Sequence, residues 1–540
     1  MSRHAVLAVA QFRPVKGEYA ANLARLGDCL AEASQCRPAP QLLVFPETIT
    51  SGYFLEGGVR DLAVTAGQLA ADLDHLWRQR VGSGTSIDLV VGFYERWRDA
   101  LHNSALVVRV GAQPGGEILH VHRKNFLPTY GLFDEERFVE RGTDIAAFDC
   151  AIGRAAVLVC EDAWHSLSGT VAALDGATVL CVIAAAPARG VWPRAEAAQA
   201  PASHDRWERL LRDVADEHGV FVAYANLVGT EGGKQFSGGS MVIGPRGDVR
   251  CRAPLWDDAL VSVDVDLDDL VRARSDQPLL ADLRVQLPHL QQSMQRALSG
   301  TPARTPWDGA AASVARAADA RASAHAAANG SGSGLTVVQA GLRDHGAPPP
   351  LTLDLPLVEA MLVRFLRDEF ARRGFDRAVV GLSGGVDSAV SAALAARALG
   401  PANVLAVRMP YRTSSPDSLA HAQLVIDQLG LEARTVDISA AVDGYLAQEP
   451  DADATRRGNV MARTRMLVLF DQAAKQRALP VGTGNKSERL FGYFTWHADD
   501  SPPVNPIGDL FKSQVWALAR HLGIPDAIIA KPASADLVQG

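Results

Sequence analysis

Three reactive side chains in the first 160 residues each follow an apolar pattern typical of a β-strand. Glu47 follows Leu-Leu-Val-Phe-Pro, Lys124 follows Ile-Leu-His-Val-His-Arg, and Cys160 follows Ala-Ala-Val-Leu-Val. Because strand ends share one rim of a sheet, we expect the three groups to converge. Together they could cleave an amide. Glu47 would take the thiol proton, Cys160 would attack the carbonyl carbon, and Lys124 would lower the thiol pKa and stabilise the oxyanion.

A second reactive segment spans residues 377–388 and reads Arg-Ala-Val-Val-Gly-Leu-Ser-Gly-Gly-Val-Asp-Ser. Its pattern predicts a strand, a tight turn and the start of a helix. Gly384 and Gly385 lack the Cβ atoms that would hold off a phosphate, and the helix N-terminus favours anions. The segment lacks the Walker pattern. Because Asp387 would repel phosphates unless a divalent cation lay between them, we predict a Mg²⁺-pyrophosphate site.

Composition and charge exclude several classes of protein. The net charge of −8, without a basic run, argues against nucleic-acid binding. The longest uncharged run, residues 176–188, is shorter than the ~20 residues of a membrane span, and the first apolar run is too short for a signal peptide. The six cysteines show no Cys-x-x-Cys spacing, so neither disulfides nor zinc are expected. We therefore expect a cytoplasmic protein that binds neither membranes nor nucleic acid.

The order of predicted elements indicates three regions in the 540 residues. Residues 1–285 alternate strands and helices in a layered α/β pattern, residues 286–350 read as a partly low-complexity linker, and residues 351–540 predict a doubly wound parallel sheet. In the first region, strands are predicted over residues 6–10, 42–45, 89–93, 105–110, 118–121, 155–159, 179–183, 220–225 and 240–243, and helices over 19–34, 69–80, 166–174 and 205–218.

The sequence around the three reactive residues resembles the nitrilase superfamily. Val-Phe-Pro-Glu-Thr, His-Arg-Lys-Asn-Phe-Leu-Pro and Leu-Val-Cys-Glu-Asp-Ala-Trp occur in the order of that superfamily's Glu-Lys-Cys motifs. The resemblance spans residues 1–285 and implies an αββα sandwich that hydrolyses a carbon-nitrogen bond. Within it, Tyr130 is similar to a tyrosine lining the glutamine pocket of glutaminase members, Glu161 is implied to meet the substrate amino group, and Glu135 corresponds to a supporting carboxylate.

One part of the implied glutamine pocket departs from the superfamily pattern. Glutaminase members usually carry Ala-Ser-Pro after the strand that follows the nucleophile, and the serine contacts glutamine. Here the segment reads Ala-Ala-Pro, with Ala186 at the serine position. The resemblance therefore implies that this contact is either lost or made by another residue, such as Arg189, Arg194 or Ser203.

Ser-Gly-Gly-Val-Asp-Ser resembles the pyrophosphate loop of the N-type ATP pyrophosphatases, whose sheet is Rossmann-like. Farther on, Pro-Val-Gly-Thr-Gly-Asn-Lys-Ser-Glu and Asn-Pro-Ile-Gly-Asp-Leu-Phe-Lys-Ser-Gln-Val resemble the NAD synthetase domain. Joined to the nitrilase-like region, they make the chain similar to the family of glutamine-dependent NAD synthetases. That resemblance implies amidation of deamido-NAD⁺ to NAD⁺ by ammonia from glutamine, through an acyl-adenylate formed from ATP, with AMP and pyrophosphate as products.

The same resemblance implies the binding residues of the second region. Contacts with deamido-NAD⁺ are implied for Asn459, Arg463 and Glu488, and Mg²⁺ ligands are Asp387 and Glu488. A homo-oligomer is expected, either a dimer through the synthetase domain or a larger assembly. Family members continue past the position of Gly540, so the C-terminal end is expected to be incomplete. ATP contacts are implied for Gly381, Leu382, Ser383, Gly384, Gly385, Val386, Asp387, Ser388, Thr483, Lys512 and Ser534.

Two other functions are consistent with parts of the pattern. The first is another glutamine-fed adenylating amidotransferase, one that makes asparagine or GMP, which acceptor assays with ATP and ammonium would distinguish. The second is a non-catalytic module that senses glutamine or nucleotide. Because Glu47, Lys124, Cys160 and both carboxylates of the predicted Mg²⁺ site are intact, the sequence favours an enzyme.

Overall fold

The computed structural model describes residues 3–193, 200–300 and 351–531. The described residues divide into two compact units, one formed by residues 3–193, 200–276 and 351–531 and the other by residues 277–300. Within the described ranges, no helix combines the length and apolar character needed to cross a bilayer. Two residues named by the sequence analysis, Arg194 and Ser534, lie outside the described residues.

The first part of the larger unit contains two six-stranded sheets and a two-stranded ribbon. The strands are β1 His4–Gln11, β2 Leu42–Val44, β3 Ile87–Trp97, β4 Ala100–Val110, β5 Glu117–Arg123, β6 Ala147–Cys150, β7 Gly153–Val159, β8 Val179–Ala184, β9 Phe221–Asn226, β10 Val228–Glu231, β11 Lys234–Ser237, β12 Met241–Ile243, β13 Val249–Arg252 and β14 Ala259–Asp266. The sheets have the orders β14-β1-β2-β3-β4-β5 and β13-β12-β9-β8-β7-β6, and β10 pairs with β11.

Helices cover the outer faces of both sheets, which gives four layers. One core cluster joins the two sheets to each other, a second packs the helices of residues 19–35 and 66–80 on the first sheet, and a third packs those of residues 166–174 and 202–218 on the second. Because β8 is buried on both faces, its sequence is a continuous apolar run. The αββα architecture implied by the sequence is therefore confirmed. The helices are α1 Tyr19–Gln35, α2 Val59–Leu62, α3 Ala66–Arg80, α4 Ser166–Leu174, α5 Ala202–His218 and α6 Asp268–Asp276.

The second part of the larger unit is a four-stranded sheet between helices. Its strands are β15 Ala378–Gly381, β16 Val404–Arg408, β17 Glu432–Thr435 and β18 Leu479–Val481. They run parallel in the order β17-β16-β15-β18, with helices on both faces, so the predicted doubly wound sheet is also confirmed. In such a sheet a ligand crevice forms where the strand order reverses, which here lies between the ends of β15 and β18.

The described part of the smaller unit, residues 277–300, contains α7 Leu279–Leu298. The predicted boundary at residue 285 falls inside this helix, and the predicted linker beyond residue 300 lies outside the described residues. The helices of the second part of the larger unit are α8 Leu355–Arg372, α9 Val386–Leu399, α10 Pro416–Leu429, α11 Ser439–Leu446, α12 Ala454–Gln476, α13 Lys486–Phe491, α14 Lys512–Leu522 and α15 Asp526–Ile529.

Within the larger unit, α8 joins the parallel sheet to the αββα sandwich. The buried Asp368 of α8 lies 2.7 Å from the Arg13 guanidinium and accepts a hydrogen bond from the Thr230 hydroxyl at 3.1 Å. The Gln235 side-chain amide donates to the Met361 carbonyl at 2.7 Å. Because Thr230 and Gln235 belong to β10 and β11, the ribbon is the part of the sandwich that carries these two contacts.

Candidate active sites

The structure brings the three predicted groups of the sandwich together at the ends of β2, β5 and β7. Lys124 Nζ donates to Glu47 Oε1 at 2.8 Å, and both side chains are fully buried. Cys160 lies close enough to Glu47 and Lys124 that both charges change the pKa of its thiol. The convergence expected from three strand ends is therefore present.

Two further residues complete this cluster. Lys124 Nζ also lies 2.7 Å from Glu135 Oε2, and the Asn103 amide donates to Glu47 at 2.7 Å and to Glu135 at 2.8 Å. Burial alone would lower the pKa of Lys124, but the carboxylates of Glu135 and Glu47 raise it well above its usual value. Lys124 therefore stays positively charged. Asn103 was not predicted as a site residue, because it lies in β4 with no motif around it.

The Cys160 thiol is held in a strained and poorly solvated position. Its φ angle is +49°, in the left-handed region that non-glycine residues rarely adopt. Burial, followed by the Glu47 charge, raises the thiol pKa well above its usual value, while Lys124 lowers it. The predicted effect of Lys124 is therefore present but outweighed. The resting thiol is protonated, so a base must accept its proton before it can attack.

The Glu47 carboxylate is oriented for that task by three donors. Lys124 and Asn103 contact Oε1, and the backbone N–H of Ala185 donates to Oε2 at 2.7 Å. The same N–H of Ala185 lowers the pKa of the Cys160 thiol, which places this donor at both groups. A carboxylate fixed beside a neutral thiol can act as its general base.

The residues implied for glutamine binding lie beside this cluster. Tyr130, which is 55% exposed, donates its hydroxyl to Glu161 Oε2 at 2.8 Å. Burial and this hydrogen bond raise the pKa of Tyr130 to about 12, so the hydroxyl stays protonated. Ala186, at the position of the missing serine, offers no side-chain contact, and its N–H donates to the Asn226 side chain at 2.9 Å.

Two of the three candidate replacements for that serine lie in the described structure. The Arg189 guanidinium lies 5.5 Å from the centre of the Phe133 ring, which is 5.9 Å from the Tyr130 ring. The Ser203 hydroxyl accepts from the Arg189 N–H at 2.9 Å and donates to the Pro187 carbonyl at 3.1 Å. Ser203 therefore fixes the backbone, while Arg189 presents a cation next to Tyr130.

The glycine-rich segment forms the predicted turn between β15 and α9. Gly384 has a φ of +75°, and a Cβ atom there would lie 2.2 Å from the Ser418 carbonyl oxygen, so only glycine fits. The Ser388 hydroxyl accepts from the Ser383 N–H at 3.3 Å and donates to the Gly385 carbonyl at 2.9 Å. These contacts fix a compact loop at the N-terminus of a 14-residue helix, a position suited to phosphate.

The two predicted metal-binding carboxylates share one neighbour. Asn485 donates its side-chain amide to Asp387 Oδ1 at 3.0 Å and its backbone N–H to Glu488 Oε2 at 3.0 Å. Lys512 Nζ is hydrogen-bonded to Asp387 Oδ2. Burial, with a smaller contribution from the Asp387 charge, raises the pKa of Glu488. A carboxylate destabilised in this way gains from a nearby cation.

A cavity of about 430 Å³ lies at this end of the parallel sheet. Two residues implied for deamido-NAD⁺, Asn459 and Arg463, are not among its described lining residues. Asn459 accepts from the Thr495 hydroxyl at 3.0 Å, and Arg463 donates to the Trp496 carbonyl at 3.2 Å. The predicted residues that line the cavity are Gly381, Leu382, Ser383, Gly385, Val386, Asp387, Ser388, Thr483, Glu488 and Lys512.

The folds and sites together define a two-centre protein, with a thiol hydrolase site in an αββα sandwich and a phosphate-binding loop in a doubly wound sheet. The carbon-nitrogen hydrolase family model matches residues 6–275, and the NAD synthase family model matches residues 358–540. The chain belongs to the NAD synthase family and carries a carbon-nitrogen hydrolase domain in front of its synthase domain. The combination predicted from the motifs is thereby confirmed.

Similar proteins agree with this assignment. The chain is 53% identical over 193 residues to an NH₃-dependent NAD⁺ synthetase of Chlorobaculum parvum, which covers 36% of this chain and 70% of that protein. A corresponding protein of Fusobacterium nucleatum is 50% identical over 190 residues, covering 35% and 74%. The structure of a glutamine-dependent NAD⁺ synthetase from Acinetobacter baumannii, in complex with ADP, shares the fold with a TM-score of 0.72 and 24% identity, covering 99% of this chain and 86% of that one.

Proposed function

We propose that the protein is a glutamine-hydrolysing NAD⁺ synthetase that converts deamido-NAD⁺ to NAD⁺ with ATP. The observation that carries this proposal is that Glu47, Lys124 and Glu135 form one buried charged cluster beside Cys160, in a chain that also belongs to the NAD synthase family. One centre would release ammonia, and the other would prime a carboxylate to receive it.

At the thiol centre, Glu47 takes the Cys160 proton as the sulfur attacks the glutamine side-chain carbonyl. The carbon-nitrogen bond breaks, the proton passes from Glu47 to the leaving nitrogen, and ammonia departs from a thioester. Water, deprotonated by Glu47, then hydrolyses the thioester to glutamate. The Lys124 ammonium, kept charged by its two carboxylate neighbours, stabilises the oxyanion in both steps.

At the nucleotide centre, the backbone of the 383–388 loop and Lys512 would bind the phosphates of ATP. The nicotinate carboxylate attacks the α-phosphate, releases pyrophosphate and becomes an acyl-adenylate. Ammonia then attacks the acyl carbon and displaces AMP. We propose that Asn459 and Arg463, on the same helix α12, contact deamido-NAD⁺, because Arg463 offers a positive charge to an anionic substrate.

The donor set at this centre fits Mg²⁺. Asp387 and Glu488 both contact Asn485, and the described residues contain no group of three or more acidic, histidine or cysteine side chains that could hold a metal ion without further ligands. Two carboxylates supplemented by phosphate oxygens and water match the way Mg²⁺ is bound with nucleotides. When bound, Mg²⁺ would neutralise charge on the phosphates, and Lys512 would be free to turn from Asp387 to the nucleotide.

We further propose that Arg189 replaces the missing serine as a glutamine contact, by pairing with the α-carboxylate. Its guanidinium lies 5.5 Å from the Phe133 ring, and Phe133 packs against Tyr130, whose hydroxyl donates to Glu161. Opposite charges would thus be available for the two ends of an amino acid zwitterion. Arg189→Ala should raise KM for glutamine about 10-fold or more and leave ammonium-driven synthesis unchanged. Arg246→Ala, which removes an exposed arginine paired with Asp276, is the matched control. If the KM of Arg189→Ala for glutamine equals that of the control, Arg189 does not contact glutamine.

The assembly is proposed to be a homo-oligomer formed through the synthetase domain. Supporting this, Leu490, Phe491, Tyr493 and Trp496 lie close together in sequence and expose between 64% and 88% of their surface. Such a concentration of exposed apolar groups is typical of an interface. Light scattering of the purified protein should give at least a dimer, and Phe491→Asp should shift it toward monomer. The cytoplasmic location stays a prediction.

The proposed function is tested by mass spectrometry of one reaction mixture. Deamido-NAD⁺, ATP, Mg²⁺ and glutamine should yield NAD⁺, AMP, pyrophosphate and glutamate, and ammonium should replace glutamine. Aspartate and xanthosine monophosphate, offered separately as acceptors, should not be amidated. AMP formation with either of these, and none with deamido-NAD⁺, would overturn the proposal in favour of another amidotransferase.

A further inference from the structure

Asp162 makes a set of contacts that neither the motifs nor the reaction scheme accounts for. It is fully buried in the short 3₁₀ turn Cys160–Trp164, two residues after the nucleophile. Its Oδ1 accepts the backbone N–H groups of Asn125 and Phe126, both at 3.0 Å. Its Oδ2 accepts the Val159 N–H at 3.1 Å and lies 2.8 Å from His122 Nε2.

The four partners belong to the two segments whose reactive groups must meet. Val159 immediately precedes Cys160, and the other three residues flank Lys124 on both sides. One carboxylate therefore ties the turn that carries the thiol to the strand end that carries the ammonium. Because four contacts of 2.8 to 3.1 Å prevent the carboxylate from rotating, they fix the positions of Cys160 and Lys124 relative to each other.

The backbone of Cys160 needs such a constraint. A φ of +49° at a non-glycine residue persists only where the surroundings impose it. The hydrogen bond from the Val159 N–H holds the chain directly before this residue, and His122, also buried, secures the same carboxylate oxygen from the side of β5. The backbone conformation of Cys160 is thus held by Asp162 and His122, which are not themselves reacting groups.

We propose that Asp162, supported by His122, is a positioning residue for amide cleavage, which sets the geometry of the Cys160 sulfur and the Lys124 ammonium without touching glutamine. The inference rests on the proposed function, since it assumes that the thiol centre releases ammonia from glutamine. It assigns a role to a buried, hydrogen-bonded Asp–His pair that takes no part in the transfer of protons or acyl groups.

Asp162→Asn is the first test, because the side chain keeps its size but replaces one acceptor oxygen with a donor that faces the Val159 N–H. Glutamate release should fall in kcat by about 30- to 100-fold, the scale expected for a small misplacement of reacting groups. KM for glutamine should change by less than about 3-fold, since the pocket is untouched. Ammonium-driven NAD⁺ formation should be unchanged, which also reports that the protein is folded.

Asp175→Asn is the matched control. Asp175 also accepts a backbone N–H, that of Ala147 at 2.7 Å, and an Arg154 guanidinium at 3.0 Å, but it lies on the surface away from the thiol. Its substitution should leave kcat within about 2-fold of the unmodified protein. Equal losses in Asp162→Asn and Asp175→Asn would overturn the positioning role, as would an unchanged kcat in Asp162→Asn.

His122 provides a second pair of variants in case Asp162→Asn does not fold. His122→Leu removes the side-chain donor and leaves three backbone donors on Asp162, so kcat should fall by about 3- to 10-fold. His122→Gln restores an N–H donor and should recover most of that loss. If Leu and Gln at this position behave alike, His122 does not act through Asp162. Absence of glutamate release by the unmodified protein would instead reject the proposed function itself.

Discussion

Lys124 Nζ lies 2.7 Å from Glu135 Oε2, and both side chains are buried. This contact gives the ammonium a second negative neighbour besides Glu47, which explains why the pKa of Lys124 is raised despite its burial. The charge that stabilises the oxyanion therefore depends on a carboxylate that need not touch the substrate.

Glu135→Gln should reduce the activity of the thiol centre selectively. The substitution keeps the side-chain volume but leaves Lys124 with one charged partner, so glutamate release should fall about 10²-fold. The free energy of unfolding should fall by about 3 kcal/mol, because a buried charge loses part of its compensation. Glu136→Gln, which changes an exposed partner of Arg141, is the control. Equal losses in the two variants would contradict the role assigned to Glu135.

Gly384→Ala should disable the nucleotide centre whichever nitrogen source is used. The φ of +75° and the 2.2 Å approach of a Cβ to the Ser418 carbonyl oxygen force the loop to move. NAD⁺ formation from either glutamine or ammonium should drop by about 10²-fold or more. In Gly444→Ala, a change in α11 with no atom within 4 Å of the new Cβ, both rates should persist. If Gly384→Ala is about as active as this control, the loop does not need the close approach of Gly384 to the Ser418 carbonyl oxygen.

The pH dependence of Cys160 alkylation tests the electrostatics of the resting thiol. Burial raises the thiol pKa, so the thiolate fraction near pH 7 is small and grows only as pH rises. The rate of reaction with iodoacetamide, without substrate, should keep increasing above pH 8.5, the usual pKa of a free cysteine. Lys124→Met should move the profile to still higher pH, because the ammonium lowers this pKa. A plateau below pH 7 would show a thiolate at rest and contradict the account.

Asp368→Asn should loosen the contact between α8 and the sandwich. The carboxylate balances the guanidinium groups of Arg13 and Arg364, so its removal leaves two positive charges near each other. Denaturant unfolding should show that the free energy of unfolding falls by about 2 kcal/mol. This decrease is smaller than the one expected on breaking a completely buried ion pair, because both arginines reach solvent. Asp149→Asn, at an exposed pair with Arg154, should change stability by less than about 0.5 kcal/mol. A loss no greater than that of Asp149→Asn would contradict a joining role for Asp368.

Local signals predicted the strands and helices that carry the chemistry. The helix at residues 166–174 has the predicted bounds, and the strand Val179–Ala184 extends one residue beyond the predicted 179–183, because each is an apolar segment with sharp ends. Several elements were missed, among them β14 and α11. The partner of β14 is β1, which lies at the opposite end of the sandwich sequence, and most residues of β14 are only partly buried. The helix α11 is only eight residues long. Neither has a local pattern strong enough to identify it.

The site residues, like the elements, include some that local sequence patterns predict and others that only the fold shows. Strand ends and glycine spacing indicated where Glu47, Lys124, Cys160 and the phosphate loop lie. The residues that orient these groups, such as Asn103 in β4 and Asp162 in the turn after β7, depend on which strands become neighbours, and a polar residue gives no sign in the sequence of its distant partner. Whether the pKa of the Cys160 thiol is raised or lowered overall could not be predicted from the sequence either, since it depends on burial that exists only in the fold.

The division of labour between two centres is tested most directly by Cys160→Ala, assayed for NAD⁺ formation with glutamine and, separately, with ammonium. Cys251→Ala, outside both sites, serves as the control. Glutamine-driven formation should fall by about 10³-fold or more, while ammonium-driven formation should stay within about 2-fold of the unmodified protein. If the two rates fall together, or if the glutamine-driven rate survives, the separation of ammonia release from carboxylate activation is contradicted.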